Sequence, residues 1–174
     1  MPGGANLTKY HLLRLNVGFL LNKHVGYSRN FDFEESSLLI GDDLLISDLR
    51  GSARLSRTGQ GIYIKGRLQG NIDLECVRCL SDFKQILSAE LDEHSDYPPA
   101  RDSDPHLTIS DDAILDLSPI LREIFLLDVP IQPICRVECT GLCQVCGEII
   151  TEGHQSHPEE EIDPRLAVLK TLLS

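Results

Sequence analysis

The sequence contains no tryptophan, one methionine and few aromatic residues, and several familiar motifs are missing as well. No stretch approaches the ~20 apolar residues that a membrane-spanning helix needs. The first residues lack the basic and apolar regions of a secretory signal peptide. No glycine-rich phosphate loop, H-E-x-x-H helix or Ser/His/Asp arrangement is present. These absences predict a cytoplasmic protein without a membrane segment, and they argue against an enzyme.

Positive charge is also scarce. The chain has 16 Lys and Arg against 27 Asp and Glu, which gives a formal net charge of −11. Proteins that bind nucleic acid obtain most of their affinity by neutralising phosphates with Lys and Arg, so any RNA contact must be local. An acidic protein suits basic partners, and ribosomal proteins are the most common basic partners in a bacterial cytosol. Simple solubility is the alternative explanation of the charge.

Cysteine, by contrast, is abundant and regularly spaced, within LECVRCL and within CRVECTGLCQVCG. A C-x2-C step places two thiolates on one ion through a tight turn, and Zn2+ takes four such ligands in a tetrahedron. Cytosolic thiols stay reduced, so this spacing favours a metal over disulfides. Histidine nitrogens are also zinc ligands. The eight potential ligands are Cys76, Cys79, Cys135, Cys139, Cys143, Cys146, His154 and His157.

Two arrangements of these ligands remain open. In the first, one ion is held by Cys76, Cys79, Cys135 and Cys139, and a second by Cys143, Cys146, His154 and His157. In the other, a single ion is held by the four cysteines from 135 to 146, because a local cluster costs less loop-closure entropy. Doubling a loop costs only ~0.6 kcal/mol, whereas structural zinc binding is worth about 10–16 kcal/mol. We therefore favour the first arrangement, which would also tie the C-terminal module to the rest of the protein.

The strand pattern predicts an α+β fold. Apolar residues alternate from Ala53 to Cys76, with turns at TGQG and at Gly70-Asn71, and the alternation resumes from Phe83 to Leu91. We expect an antiparallel β meander or partly closed barrel, with two helices and a Cys-rich zinc module near the C-terminus. The first C-x2-C step then lies in a strand-to-strand turn. Residues 1–89 would form the antiparallel core, with the fold of residues 1–42 left open.

The rest of the chain is predicted to pack on the same core, as one domain. Residues 90–116 are rich in carboxylates and proline, which is typical of an acidic loop. Residues 117–174 would contain a helix, the Cys-rich module and a last helix. The first helix would begin near Asp116 or Ser118 and end near Val129-Pro130, and the last would begin at Asp163.

The order of several motifs resembles the YceD family. LSRTGQGIYIKG, LECVRCL, DVPIQPIC, CRVECTGLCQVCG and IDPRLAVL follow one another between about Asp43 and Leu173. The resemblance implies a role in the accumulation of large-subunit ribosomal RNA in bacteria and chloroplasts, without defining the biochemical mechanism. Many family members carry a C-x-C pair before D-P-R, where this chain has EGHQSH. His154 and His157 would therefore replace two thiolates.

We accordingly expect a non-enzymatic zinc-binding factor that supports accumulation or assembly of large-subunit ribosomal RNA, with a ribosomal protein or rRNA of the large subunit as its partner. One alternative is a zinc-dependent hydrolase or nuclease acting on rRNA. Another is a redox sensor whose thiols release metal when oxidised. Five basic residues are candidates for RNA contact, although the same residues would suit the solvated face of a sheet. They are Arg54, Arg57, Lys65, Arg67 and Arg78.

Overall fold

A computed structural model describes residues 8–9, 12–99, 106–155 and 157. Its main feature is an open five-stranded sheet with strand order β1-β3-β4-β5-β6. The sheet consists of β1 (Thr8–Lys9), β3 (Ser28–Ile40), β4 (Leu44–Arg57), β5 (Gly61–Glu75) and β6 (Asp82–Asp96). The four long strands are antiparallel neighbours, and only β1 lies parallel to its neighbour β3. The predicted α+β class with an antiparallel meander is confirmed.

A second, smaller sheet and two helices complete the described fold. The small sheet pairs β2 (Arg14–Asn16) with β7 (Ile114–Asp116), and the helices are α1 (Gly18–Leu21) and α2 (Ser118–Asp128). α2 matches the helix predicted in this region, whereas the short α1 was not predicted. The predicted last helix, from Asp163, lies outside the described residues. No helix in the described ranges is long and apolar enough to cross a membrane.

The core lies between one face of the large sheet, the small sheet and α2. Alternate residues of β5 point into it, and Ile62, Ile64 and Leu68 are fully buried. Phe125 of α2 is buried against the same cluster. The turn after β4 is the predicted TGQG segment, closed by a hydrogen bond from the Thr58 N–H to the Gly61 carbonyl (3.0 Å). Apolar alternation and turn chemistry therefore account for the meander.

The predicted break at Gly70-Asn71 is wrong, because β5 runs through it without interruption. A Cβ atom at residue 70 would lie 2.2 Å from the Cγ2 atom of Ile46. Glycine is needed at this position because the Ile46 side chain packs directly against the backbone. Glycine within a strand often marks such a close approach. The irregularity lies in the neighbouring strand, where the register of β4 shifts between Ser47 and Arg50. Asp48 at this bulge adopts a left-handed φ of 52°.

The stretch predicted as an acidic loop, residues 90–116, is strand at both ends. β6 continues to Asp96, which pairs with Gly61, and β7 occupies Ile114–Asp116. Leu107 and Ile109 between them are buried. Acidic composition concealed the strand, in which Glu90 and Asp92 are exposed, Leu91 and Ser95 are buried, and Glu93 is half-buried. Lys65 of β5 forms an ion pair with one of these carboxylates, that of Asp92, at 3.6 Å.

Candidate metal centres

The turn between β5 and β6 carries the first C-x2-C step and has a defined hydrogen-bond pattern. The N–H of Cys76 donates to the carbonyl of Ser81 (3.0 Å), and the N–H of Leu80 donates to the carbonyl of Cys76 (2.9 Å). Leu80 adopts a left-handed φ of 57° and its side chain is mostly exposed. The turn thus directs two thiols to one side of the chain at the cost of a strained residue.

The second C-x2-C step forms the same turn from a different sequence. The N–H of Cys143 donates to the carbonyl of Glu148 (2.7 Å), and the N–H of Gly147 donates to the carbonyl of Cys143 (2.9 Å). Gly147 occupies the position equivalent to Leu80 and has a φ of 75°. We call these two turns the first and second knuckles. Their equivalence follows from backbone geometry and would be hard to see in the residues between the cysteines.

The first cluster joins the first knuckle to the segment after α2. The Sγ atoms of Cys76, Cys79, Cys135 and Cys139 all lie within 4.8 Å of one another. The Cys76–Cys139 and Cys79–Cys135 sulfur distances are 3.8 and 3.7 Å, far from the ~2.05 Å of a disulfide. A tetrahedron with metal–sulfur bonds of ~2.3 Å has edges of ~3.8 Å. The spacing therefore fits four thiolates around one zinc-sized ion.

Local contacts hold the two halves of the first cluster together. The N–H of Val77 donates to the carbonyl of Pro133 (2.9 Å), and the Arg78 guanidinium donates to the carbonyl of Cys139 (2.8 Å). Cys76 and Cys139 are almost completely buried. Phe83 packs against the cysteines from the start of β6. The cluster is thus an extension of the sheet, built from residues 56 or more positions apart in sequence.

Burial and hydrogen bonding give the thiols of the first cluster different pKa values. Burial opposes ionisation of Cys76, but backbone N–H groups of Cys135, Cys79 and Arg78 outweigh it and lower the pKa to about 6. Burial and the neighbouring thiols instead raise the pKa of Cys135 to about 12. Four thiols at this spacing cannot all ionise next to one another, because like charges disfavour each other. A divalent cation would remove this conflict, which makes the donor set a good match for a metal.

The second cluster gathers the second knuckle and two histidines. Ligand atoms of Cys143, Cys146, His154 and His157 lie within 4.8 Å of one another. The distance from Cys146 Sγ to His154 Nε2 is 3.7 Å. Zinc bonds of ~2.3 Å to sulfur and ~2.0–2.1 Å to nitrogen predict a separation of ~3.6 Å. This distance matches the one expected for two ligands of a single zinc-sized ion.

A polar atom of His157 supports the same conclusion. Its Nε2 is buried and has no hydrogen-bond partner within the described part of the chain. A buried nitrogen without a partner is costly, and the cluster places this one next to three other donors. The pKa of the Cys143 thiol is lowered by the backbone N–H groups of Cys146 and Val145. A metal ion would satisfy His157 and bind a thiol whose ionisation these backbone N–H groups assist.

The two clusters have different surroundings but touch each other. Cys146 is exposed and Cys143 half-buried, whereas three of the four cysteines in the first cluster are buried. The N–H of Leu142 donates to the carbonyl of Arg78 (3.1 Å), so the second knuckle rests on the first. Gly141 makes this approach possible: its φ is 84°, and a Cβ there would lie 3.1 Å from the Arg78 carbonyl oxygen. The eight donors are therefore grouped in two sets of four, as in the arrangement with two ions favoured from the sequence.

The five basic residues are not gathered on one surface. Arg54, Lys65 and Arg67 share the solvent face of the sheet, Arg57 is half-buried near the turn after β4, and Arg78 lies in the first knuckle. Each has a partner: the Ser28 hydroxyl for Arg54, the Gly61 carbonyl for Arg57, Asp92 for Lys65, Glu90 for Arg67 and the Cys139 carbonyl for Arg78. RNA contact through these residues would compete with local interactions.

Sequence reasoning missed some residues of these sites. Ser81 lies 2.9 Å from the Cys79 sulfur through its hydroxyl, and this hydrogen bond lowers the pKa of that thiol. Leu80 was missed because a leucine gives no signal for a left-handed backbone. Arg50 also lies on the solvent face of the sheet, 3.7 Å from Glu34. Its position two residues before Ser52, in the same alternation as Arg54, could have identified it.

The chain is similar to proteins of one family. The family model described as "Large ribosomal RNA subunit accumulation protein YceD" matches residues 64–173, a range that contains both clusters. An uncharacterized protein of Mycobacterium bovis is 30% identical over 153 residues, which cover 82% of this chain and 72% of that protein. The uncharacterized protein YlbN of Bacillus subtilis is 29% identical over 160 residues, with coverages of 83% and 89%. No solved structure gives a significant match.

Proposed function

Because the chain belongs to the YceD family, we propose that it is a non-enzymatic, zinc-binding factor of the cytoplasm that supports accumulation or assembly of large-subunit ribosomal RNA. The family description names the RNA, and the two clusters suggest how the protein is built for a binding role. The observation that carries the proposal is the pair of four-donor clusters, in each of which the ligand atoms lie within 4.8 Å of one another. A closed zinc site stabilises a fold and leaves no position for a reacting water.

The two sites would have structural roles. Zn2+ supplies charge neutralisation for its thiolates and fixes the ligands in a tetrahedron. In the first site, Cys76 and Cys79 would anchor the segment of Cys135 and Cys139 to the sheet. In the second, His154 and His157 would fold the chain back onto the second knuckle. Each would hold a loop-rich segment that has few buried apolar residues of its own.

Ligand number separates this proposal from a zinc hydrolase. Catalytic zinc sites usually have three protein ligands and an open position for water. Both clusters here offer four donors, and one is made of cysteine alone. A nuclease would therefore have to give up a ligand before it could activate water. The geometry supports a scaffold, and rRNA cleavage by purified protein that is lost with a chelator would contradict it.

Charge supports a ribosomal protein, rather than rRNA itself, as the direct partner. The chain has a net charge of −11, and the basic side chains considered for RNA contact already have partners. Electrostatic steering favours association with proteins of opposite charge. The effect on rRNA would then follow from stabilising a basic ribosomal protein during assembly.

Metal content and rRNA level together test the proposal. We expect two zinc ions per chain after anaerobic purification without chelator, and about one in the His154→Ala/His157→Ala double variant, measured by mass spectrometry. His24→Ala, in an exposed turn, is the matched control and should keep both ions. In cells lacking the native protein, the wild type should restore large-subunit rRNA more fully than a Cys76→Ser/Cys79→Ser variant. Equal zinc content in all variants, or equal rRNA levels, would contradict the proposal.

A further inference from the structure

Within residues 8–9, 12–99, 106–155 and 157, one edge of the large sheet has no neighbouring strand over most of its length. β3 pairs with β4 from Ser28 to Ile40. On its other side, β1 pairs only at Leu38 and Leu39. Among the described residues, no strand pairs with residues 28–37 on that side. We call residues 28–37 the β3 edge.

Hydrogen bonding at the start of β3 shows which backbone groups face outward. The N–H of Arg57 donates to the carbonyl of Tyr27 (2.8 Å). In an antiparallel pair every second residue bonds to the neighbouring strand, so the odd-numbered residues of β3 that follow Tyr27 bond to β4. The intervening residues, at even numbers, direct their N–H and C=O groups away from β4. At Ser36 the outward N–H is bonded to the Glu35 carboxylate (3.1 Å). No described strand pairs with the outward groups of Ser28, Asn30, Asp32 and Glu34, which could therefore bond to an added strand.

The opposite edge of the sheet is treated differently. On β6, the outward N–H of Ser88 is bonded to the Asp128 carboxylate (2.8 Å), and the Ser95 hydroxyl donates to the carbonyl of Leu107 (2.9 Å). α2 packs beside this strand. Proteins usually cover or interrupt exposed edges because these pair readily with other chains. The contrast singles out the β3 edge as a surface for strand addition.

Side chains of the β3 edge specify what an added strand would need. Asp32 and Glu34 are exposed on the solvent side, and the ion pair of Glu34 with Arg50 is long (3.7 Å) and largely solvated. On the other side, Phe31 is half-buried and Phe33 is buried against the core. An added strand would place alternate side chains beside these two rows. It would need Lys or Arg on one face and apolar residues on the other.

Charge decides between the possible occupants of this edge. A second copy of the chain would bring a second row of carboxylates next to the first, and like charges directly opposite in a sheet are unfavourable. A basic segment would instead gain opposite-charge pairs with Asp32 and Glu34. Backbone hydrogen bonds would supply affinity, as in other examples of strand addition.

We infer that the β3 edge binds an extended segment of a basic protein, with alternating basic and apolar residues, as an additional strand of the sheet. This inference rests on the proposed function for its choice of a basic partner. The binding surface itself is defined by the register of β3 and by its carboxylates. Two strands, β4 and β5, separate it from β6, and the first metal cluster lies at the turn before β6, so both surfaces can be tested separately.

The test uses a fluorescent nine-residue peptide in which Lys or Arg alternates with Val or Ile. Wild-type protein should bind it in a fluorescence anisotropy titration at low salt, and Asp32→Asn/Glu34→Gln should weaken binding about fivefold, as expected for two lost ion pairs. Asp73→Asn/Glu123→Gln removes the same charge from exposed positions elsewhere and should bind like the wild type. A peptide with N-methyl groups on alternate backbone nitrogens should lose binding, because it cannot form the outward hydrogen bonds.

Other outcomes would overturn the inference. Absence of binding to the wild type would do so, and so would equal weakening by the two double variants. Binding that requires removal of residues 1–7 would identify the chain's own N-terminal segment as the occupant. A dimer in analytical ultracentrifugation that Asn30→Pro dissociates would identify a second copy. None of these results changes zinc content or rRNA level, so failure here is distinguishable from failure of the proposed function.

Discussion

The second knuckle makes a quantitative prediction about Gly147. Its φ of 75° lies in the left-handed region, and a Cβ atom there would meet nothing within 4 Å. Replacing Gly147 by Ala therefore tests backbone strain without a steric clash. An L residue in this conformation costs about 1–2 kcal/mol, and the loss of glycine's freedom in the unfolded chain returns about 0.4–1 kcal/mol. We expect a net cost of about 0.5–1 kcal/mol, or ~2–5-fold weaker metal binding by the second cluster.

Competition with a colorimetric zinc chelator measures this effect directly, since the two sites can be titrated separately in a Cys76→Ser/Cys79→Ser background. The knuckle should still form in the variant, because Leu80 adopts the same conformation in the first knuckle. Gly153→Ala is the matched control: it also has open space but no left-handed φ. Equal weakening by both substitutions would show that the conformation of Gly147 does not limit metal binding, and the strain argument would then be incorrect.

Three further predictions concern the sheet and its contact with α2. Gly70→Ala should destabilise the protein by about 1–3 kcal/mol through overpacking. Ile46→Ala should itself cost about 2–5 kcal/mol because Ile46 is fully buried, and the double variant should lose less than the sum of the two single losses, measured by urea unfolding. Arg122 hydrogen-bonds to the Asp43 carboxylate and lowers its pKa in the folded state, so this stabilisation is present above the unfolded pKa and is lost as pH falls through the folded pKa. Asp43→Asn should therefore flatten the acid limb of a plot of urea midpoint against pH, and an unchanged limb would refute this. Lys65→Ala should leave the urea midpoint within error, because its ion pair is exposed.

The sequence allowed the meander to be predicted because one physical signal determined it. Buried residues alternate along β5 with period 2, and the turn before it contains two glycines, so local pattern and global fold agree. Gly70 misled the same reasoning. A glycine marks either a turn or a close approach of another residue, and only the position of Ile46 distinguishes them. In residues 90–96 the acidic composition predicted a loop, whereas the alternation of exposed and buried residues there belongs to β6.

The ligand clusters were predictable for a different reason. Cysteine spacing restricts which thiols can reach one ion, and the few remaining arrangements differ by only small loop-closure energies. Spacing could not choose between them, because the choice depends on where α2 delivers Cys135 relative to Cys76. The edge of β3 was not predictable at all. An unpaired edge is a property of strand order, and residues 28–37 give the same local pattern whether a neighbour is present or not.

The span of the first cluster has a consequence for the order of folding. Cys76 and Cys79 leave the ribosome during synthesis well before Cys135 and Cys139, which complete the set. The hairpin of β5 and β6 can pair during that interval, but its two thiols have no partners until α2 has been made and has docked beside β6. Metal capture at the proposed site would therefore be a late event in synthesis. A complete first cluster requires that α2 has docked beside β6. A chain interrupted before residue 139 would keep an incomplete, reactive pair of thiols.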